Sequence, residues 1–271
     1  MEKDASPHLA REIRQNCQDY VSTAIQRNRC EEFTGVEKTE TTMVACMDGG
    51  DDKAYKKLIS KATDYGGDPY NIMRGNIDQD IYVSLVNFLA KVSSRQTQLV
   101  SCVKAIHARE PSTKMVVFAP AGEAFDSARD ALSAMGALGA ANPGFTALPV
   151  NDPRLEQNVI NTFRHPDAIE GDEANPRVLL LDFSQASGFN LQYASHDVIL
   201  YSPLYNENDP VSAVATEQQA IGRCFRLGAT KPVTVHRIVV RGPSGEESID
   251  DRLLEYNTDE KNIIAAAGGE L

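Results

Sequence analysis

Residues 219–228 read QAIGRCFRLG, and the organisation of the whole chain can be derived outward from this stretch. Gln219, Arg223 and Arg226 are spaced i, i+4 and i+7, so a helix would place one amide and two guanidinium groups on a single face. Such a face can bind a phosphate group. Alternatively, the two cations only complement the dipole of a helix near its C-terminus.

Asp209 and Pro210 predict the start of this helix, because aspartate suits the N-cap and proline suits the first helical position. Gly228 stands where a helix commonly ends. The sequence therefore predicts a helix over 209–227 that carries both arginines in its last turns. Cys224, between the arginines, is expected to point away from their face and to pack.

From Lys114 onward, strand-like apolar runs alternate with helical periodicity, which is typical of a parallel sheet with right-handed crossovers. The uninterrupted apolar run from Val178 to Leu181 is typical of a strand covered on both faces. Strands are predicted near 114–119, 145–150, 177–182, 197–201 and 233–240. Helices are predicted near 122–138, 152–164, 209–227 and 246–256. The expected fold class is α/β, with helices on both faces of a parallel sheet.

The part of the chain before residue 95 is predicted to be mainly helical. Apolar residues recur at helical spacing over about 6–30 and again over 78–109, with a break near Ser93. Between these helices, the run KTETTMVACM at 38–47 is strand-like and leads through two glycines into a further helix.

The loop DFSQASGFN, residues 182–190, follows the carboxyl end of a predicted strand, where open α/β sheets place their ligand sites. It can be an ordinary turn, in which Gly188 supplies backbone freedom and Ser184 or Asn190 bonds to nearby backbone. It can equally present exposed hydroxyl and amide groups to a ligand. The residues alone leave both interpretations open.

Composition sets the outer bounds. With 271 residues, 42% of them apolar and 24% charged, the chain can bury a substantial core, as one large domain or a domain with an appendage. A net charge of −11 means that any nucleic-acid contact must be a local basic patch on an acidic body.

The five cysteines show no Cys-x-x-Cys pair and the histidines show no metal-ligand spacing, so we expect a reducing compartment and no metal site. Without a signal peptide or a membrane-length apolar run, an intracellular protein with no membrane partner is expected.

Two nucleotide-binding motifs do not occur in the sequence. There is no Gly-x-x-x-x-Gly-Lys-Ser/Thr, so the chain carries no phosphate-binding loop of its own. No Gly-x-Gly-x-x-Gly follows a strand, which disfavours a small-molecule enzyme on a Rossmann-like sheet. Nucleotide chemistry would therefore need groups from elsewhere.

Residues 219–239, QAIGRCFRLGATKPVTVHRIV, resemble the last helicase motif and following strand of the Swi/Snf-like chromatin-remodelling ATPases of helicase superfamily two. Residues 187–206, SGFNLQYASHDVILYSPLYN, resemble the family's Gly-x-Gly-Leu-Asn-Leu segment, its Ala-x-x-Val-Ile strand and its Asp-x-x-Trp-Asn turn. Residues 38–62 resemble, more loosely, the strand and helix that end the family's first motor lobe. Residues 246–264 resemble its terminal helix and brace.

The resemblance implies a RecA-like second motor lobe over 95–271, ended by brace helices. Residues 1–94 would be a mainly helical segment from the end of the first lobe and the region between the lobes. In this family the first lobe holds ATP and Mg²⁺, the second supplies arginines to the γ-phosphate, and DNA lies across both. The chain alone is therefore expected to hold no cofactor and to be inactive without the first lobe.

The resemblance also implies roles for individual residues. The catalytic arginines would be Arg223 and Arg226. The nucleotide-binding residues would be Gln219 and Gly188. The residues expected to contact the DNA backbone are Ser184, Ser187 and Asn190.

Two functions remain open. In the first, the chain is the carboxyl-terminal lobe of a nuclear, ATP-dependent DNA translocase that remodels chromatin. Its partners would be the missing first lobe, double-stranded DNA or a nucleosome, and other chromatin proteins. In the second, it is a degenerate, non-hydrolysing lobe that serves as a protein-interaction module in a chromatin complex. The arginine pair favours the first function, and departures from the family pattern at Ala186, Ser187 and Phe189 favour the second.

Overall fold

The computed structural model of the chain describes residues 36–64, 79–136, 143–148, 153–164, 176–186, 189–206 and 209–267. The helix predicted over 6–30 lies outside these residues, as do Ser187 and Gly188.

One parallel sheet organises the described residues. Its strands are β1 (Lys38–Cys46), β2 (Lys114–Ala119), β3 (Phe145–Ala147), β4 (Val178–Asp182), β5 (Ser195–Leu200) and β6 (Val233–Arg241). Their order across the sheet is β1-β6-β5-β2-β4-β3, and every neighbouring pair is parallel. The predicted α/β fold is confirmed, with small shifts at the ends of the predicted strands.

Helices connect the strands and end the chain. They are α1 (Gly49–Asp64), α2 (Gln79–Lys91), α3 (Ser93–Arg109), α4 (Glu123–Gly136), α5 (Pro153–Arg164), α6 (Pro210–Ile221), α7 (Ile249–Thr258) and α8 (Glu260–Ala266). The break predicted near Ser93 is confirmed, because Val92 at the junction has an extended backbone. The chain closes with α7 and α8, both packed against α6, as expected of a helical brace.

The sheet is covered on both faces, and strand β2 shows why its residues are uniformly apolar. Met115 and Val117 enter a core shared with α2, α3, α4 and α7. Val116 and Phe118, pointing the other way, enter a second core shared with α5 and α6. Successive residues of a strand face opposite sides, so a strand with helices on both faces has no position for a solvated side chain.

Strand β1, whose residues the family resemblance assigns to the end of a preceding motor lobe, lies in the same sheet as the later strands. All of Lys38–Cys46 pairs in parallel with Val233–Arg241 of β6. Leu85 of α2 and Leu99 of α3 also share one core with β2. The division of the chain at 94/95 stays a prediction, but β1 belongs to the same sheet as the later strands.

A buried ion pair fixes helix α6 to the sheet. Glu217 of α6 is fully buried, and its Oε2 accepts a hydrogen bond from Arg237 Nη1 of β6 at 2.6 Å. Its Oε1 accepts from the backbone N–H of Leu204 and from Asn257 Nδ2 of α7, both at 2.7 Å. Arg237 Nε also donates to Glu40 Oε2 of β1 at 2.9 Å. One carboxylate and one guanidinium thus connect two strands, two helices and a loop.

A second buried ion pair joins the brace to the rest of the fold. Arg95 of α3 donates to Asp250 of α7, and both side chains are almost fully buried. Asp250 Oδ2 also accepts from the backbone N–H of Val240 in β6 at 2.8 Å. Burial lowers the pKa of Arg95 to about 10, which leaves the guanidinium charged at neutral pH. Helix α7 is therefore anchored by polar contacts as well as by apolar packing.

We expect Glu217→Gln to lower the free energy of unfolding by about 3 kcal/mol, the scale for breaking a buried ion pair. The amide keeps the shape of the side chain and an acceptor for Leu204 and Asn257, but removes the charge that compensates Arg237. The measurement is chemical denaturation of each variant.

The matched control is Glu255→Gln, which removes an exposed ion pair with Arg252 and should cost less than about 1 kcal/mol. Equal losses in the two variants would show that the buried charge pair does not hold α6 in place.

Candidate functional site

Helix α6 begins as the sequence predicts and ends early. The side chain of Asp209 accepts a hydrogen bond from Ser212 N at 3.0 Å, and Pro210 occupies the first turn. The helix then ends at Ile221 rather than at 227, so the predicted helix over 209–227 is wrong in its last two turns. Arg223 and Arg226 lie beyond the helix, in residues 222–228, which we call the arginine loop.

Two observations explain the early end. Arg223 N bonds to Ala220 O at 3.2 Å and Cys224 N to Ile221 O at 3.1 Å, so three-residue turns begin at the end of the helix. The last helical bond is that of Phe225 N to Ile221 O at 2.9 Å. The carbonyl of Arg223 then accepts from Leu191 N at 2.9 Å, a partner outside the helix. A tertiary hydrogen bond therefore replaces the helical one.

The arginine loop is bonded to residues 189–191. Arg223 Nη1 donates to the carbonyl of Phe189 at 3.3 Å, and Arg226 Nη1 donates to Asn190 Oδ1 at 2.5 Å. Together with the bond from Leu191 N, these contacts make the two segments one hydrogen-bonded unit. The structure therefore brings Asn190 together with both arginines.

The two guanidiniums differ in their surroundings. Arg223 is half-buried, and burial, followed by repulsion from Arg226, lowers its pKa. Its Nε is buried and has no hydrogen-bond partner among the described residues. Arg226 is exposed. A cation that is partly desolvated and not fully paired is suited to bind an anion such as a phosphate.

Cys224 lies between the arginines and is fully buried in the core beneath α5 and α6. Burial raises the pKa of its thiol to about 12, so the side chain is a neutral packing group at physiological pH. The predicted packing role of Cys224 is confirmed.

The other predicted site residues are dispersed. Gln219 is exposed in the last turn of α6, and the early helix end removes its alignment with the arginines. Ser184 is exposed in a short 3-10 turn, Phe183–Ala186, where its N–H donates to Asp182 Oδ1 at 2.6 Å. Ser187 and Gly188 are outside the described residues.

Strand direction explains why Ser184 is separated from the arginines. Ser184 follows the carboxyl end of β4, whereas Asn190 and the arginine loop come just before β5 and β6 begin. Because these strands are parallel, Ser184 lies at the carboxyl ends of the strands and the arginine loop lies at their amino ends. The predicted DNA-contacting residues therefore do not form a single cluster.

Several neighbours of the arginine loop escaped sequence reasoning. Tyr193, whose hydroxyl lies near Gly228, and Leu227, within the loop itself, are large side chains that stay 70% and 69% exposed. Lys38 Nζ lies 5.9 Å from the centre of the Phe225 ring. Nothing in the sequence marks these contacts. The sequence does mark Glu217 as unusual, because this charged residue interrupts the apolar stripe of α6 at a position that faces the core.

The described part of the chain offers neither a metal site nor a membrane span. No group of histidine, cysteine, aspartate and glutamate side chains there is arranged to hold a metal ion. None of the helices in that part combines the length and apolar character that a membrane span requires.

Sequence comparison places the chain beside ATP-dependent helicases. It is 34% identical over 95 residues to helicase-like transcription factor CHR27 of Arabidopsis thaliana, covering 35% of this chain and 8% of that protein. It is 29% identical over 179 residues to a putative SWI/SNF-related matrix-associated actin-dependent regulator of chromatin subfamily A member 3-like 1 of the same organism, covering 65% and 17%. Identity to the ATP-dependent helicase ULS1 of Saccharomyces cerevisiae is 30% over 111 residues, covering 40% and 6%. No protein-family model matches the chain.

Solved structures show the same fold. The C-terminal part of the Fun30 ATPase domain superposes with a TM-score of 0.55 at 12% identity, covering 83% of this chain and 92% of that one. The Sulfolobus solfataricus SWI2/SNF2 ATPase core in complex with double-stranded DNA gives 0.55 at 15% identity, covering 84% and 45%. The fold is therefore that of the RecA-like lobe of SNF2 ATPases.

The resemblance to Swi/Snf-type ATP-dependent helicases is confirmed: the chain is similar to these proteins in sequence and to their C-terminal ATPase lobe in fold. It spans less than a fifth of the length of the curated relatives named above.

We expect Gly228→Ala to lower the free energy of unfolding by about 1–2 kcal/mol, because Gly228 has a φ of +92°. A Cβ there would also approach the Tyr193 hydroxyl to 2.5 Å. Since Tyr193 is largely exposed, its ring can move aside, so this contact should add little. Chemical denaturation measures the cost.

The control is Gly245→Ala, where φ is +88° and no atom lies within 4 Å of the added Cβ. We expect equal losses. A larger loss for Gly228→Ala, recovered by Tyr193→Ala, would show instead that the tyrosine ring is held rigidly against the arginine loop.

Proposed function

We propose that the chain is the second motor lobe of an ATP-dependent DNA translocase of the chromatin-remodelling type, and that Arg223 and Arg226 act on the nucleotide. The observation that carries this proposal is the arginine loop. It presents two guanidiniums, one half-buried and one exposed, in a lobe without a phosphate-binding motif of its own. Such a pair is suited to contact the phosphates of a nucleotide that another lobe holds.

The arginines would differ in role. Arg223 is fixed by its bond to the carbonyl of Phe189, and its unpartnered Nε leaves a donor for a phosphate oxygen. Arg226 must exchange its contact with Asn190 for a phosphate, which makes Asn190 the resting partner of this guanidinium. Both can form charge-assisted hydrogen bonds to the γ-phosphate oxygens.

ATP and Mg²⁺ would be held mainly by the first lobe. The magnesium ion would neutralise charge on the phosphates during transfer. The residues of this chain that fit the nucleotide are the two arginines, while Gln219 is exposed in the last turn of α6 and is not aligned with them. Their task would be to position the γ-phosphate and to stabilise its developing charge.

DNA contact would use neutral groups on this lobe. Ser184 and Asn190 are exposed, and hydroxyls and amides bond to phosphate oxygens without reading the sequence. Ser184 lies at the carboxyl ends of the strands and Asn190 at their amino ends, so the two would contact different parts of the duplex. Asn190 would also connect its contact with the DNA backbone to the arginine loop. Ser187 belongs to the same proposed contact, and Gly188 stays with the proposed nucleotide site.

The hydrogen-bonded unit of the arginine loop and residues 189–191 offers a physical route between the two ligands. A backbone displacement at Asn190 must change the bond to Arg226, and one at Leu191 must change the bond to Arg223. DNA contact near Asn190 would thus bias the position of both arginines. We place the full protein in the nucleus, with chromatin proteins as further partners.

A degenerate, non-hydrolysing interaction module is the second candidate. It is favoured by the short bond of 2.5 Å between Arg226 and Asn190, which engages one of the two guanidiniums within the lobe itself. If that bond is permanent, Arg226 has no catalytic role and the lobe serves as a scaffold.

In the protein that joins this lobe to its first lobe, Arg226→Ala and Arg223→Ala should each reduce DNA-stimulated ATP turnover by about 10³–10⁵-fold, the usual range for arginine fingers. The folding midpoint should change little for Arg226→Ala because this side chain is exposed. Steady-state turnover and thermal denaturation are measured on the same samples.

Arg252→Ala is the matched control, since Arg252 is an exposed arginine of α7 whose ion pairs lie far from the loop in sequence. Asn190→Asp should also lower turnover, because a carboxylate would hold Arg226 more firmly than the amide does. Full turnover in Arg226→Ala and Arg223→Ala would favour the interaction module.

For DNA binding, Ser184→Ala should weaken affinity equally for all sequences and leave the slope of affinity against salt almost unchanged. The reason is that no lysine or arginine occurs between Asp182 and His196, so this segment releases few counterions. Titrations of the two-lobed protein at several salt concentrations provide the measurement, with the exposed Ser133→Ala as control. Unchanged affinity would remove Ser184 from the DNA surface.

A further inference from the structure

The outer edge of the sheet carries a feature that the proposed function does not use. Strand β1 is the terminal strand in the sheet order, and no strand among the described residues pairs with its outer side. An open edge presents unpaired N–H and C=O groups that can accept another strand.

Two hydrogen bonds show which backbone groups of β1 point away from β6. Val233 N donates to Glu37 O at 2.9 Å, and Met47 N donates to Arg241 O at 2.8 Å, so the odd-numbered residues of β1 direct their backbone groups toward β6. Neighbouring residues of a strand alternate in direction. The outward backbone groups are therefore those of Lys38, Glu40, Thr42, Val44 and Cys46.

The composition of the edge is permissive for pairing. Natural edge strands are protected by charges or proline, but residues 41–46 read TTMVAC and contain neither. The charged residues lie at the start of the strand, where Glu40 is compensated by Arg237 at 2.9 Å. Val44 stays 37% exposed. A groove of about 500 Å³ beside the edge, lined in part by Val44, Ser93 and Thr97, leaves room for side chains of an added strand.

We propose that this edge binds the same edge of a second copy of the chain, in antiparallel orientation, to form a continuous sheet across a dimer. The charge pattern favours a second copy because it is self-complementary. A two-fold axis at Met43 places Thr42 opposite Val44 and Lys38 opposite Asp48. Each Lys38 then meets Asp48 of the other copy, which follows the end of the strand. The other outward residues of β1 meet each other, Glu40 with Cys46 and Thr42 with Val44.

Asp48 is suited to this contact because capping helix α1 uses only one of its two carboxylate oxygens. Its Oδ1 caps helix α1 by accepting from Gly50 N and Asp51 N, both at 2.8 Å. The second carboxylate oxygen can meet Lys38 of the other copy. Lys38 now contacts Glu40 at 2.9 Å, an exposed pair that is easily exchanged.

Sedimentation equilibrium of the 271-residue chain under reducing conditions tests the proposal. We expect a reversible dimer whose dissociation constant rises about tenfold or more in Thr42→Pro, because the symmetric contact loses two N–H donors. Proline is tolerated there, since an outward N–H on an edge strand makes no bond to β6. Thr42→Val, which keeps the donor, is the control, and circular dichroism checks that each variant folds.

A second experiment tests the register. In a Cys46→Ser background, Met43→Cys should form a disulfide between two copies, because directly opposed Cβ atoms lie about 4.5–5.5 Å apart. Ala45→Cys, two residues from the axis, should not. Asp48→Asn keeps the cap of α1 but should remove the salt dependence of the dimer.

A chain that sediments as a monomer at every concentration overturns the proposal and leaves the edge to a strand of another protein. A dimer that is insensitive to Thr42→Pro, or that crosslinks through Ala45→Cys alone, also contradicts it, because the contact then lies elsewhere or in another register.

Discussion

The fold depends on a buried carboxylate, that of Glu217, and on the guanidinium of Arg237 that compensates it. Removing two charges from water is costly, and their attraction offsets that cost when the geometry is good and further hydrogen bonds satisfy the remaining atoms. Both oxygens of Glu217 are satisfied, through Arg237, Asn257 and the N–H of Leu204. Arg237 is bonded through Nη1 and Nε, while its buried Nη2 has no partner among the described residues. Apolar packing alone would let α6 slide over the sheet, whereas this set of directional bonds allows one position.

That constraint extends to the candidate site. Helix α6 is fixed at its start by the Asp209 cap and near its middle by Glu217, so the place where it ends is determined. Beyond Ile221 the chain is held by the bond between Arg223 O and Leu191 N. The arginines are therefore presented by a short loop that continues α6 and is bonded to residues 189–191. These bonds supply the support that a loop otherwise lacks compared with a helix or strand.

The sequence predicts most of the sheet because its signals are local. An apolar run such as Val178 to Leu181 is typical of a strand with both faces covered, and Asp209 before Pro210 is a typical helix start. The end of α6 was mispredicted because a bond to residue 191 replaces a helical bond, and no local pattern encodes that. The pairing of β1 could not be predicted for the same reason: its partner β6 is far away in sequence, so a strand signal alone cannot say which sheet it joins.

The acidic character of the chain explains why the proposed arginine site would need a companion lobe. At a net charge of −11, the body of the protein repels a nucleotide or a DNA phosphate at long range. At physiological ionic strength this repulsion fades beyond about 8 Å, so two guanidiniums can attract a phosphate only after it has come close. A first lobe that already holds the nucleotide would bring its phosphates to that distance. The entropy lost in fixing the nucleotide would then be offset by contacts in the first lobe rather than by the two arginines of this chain. The half-buried Arg223 would gain most from such an approach, because closure would exclude the remaining water around a guanidinium whose position is already set by Phe189.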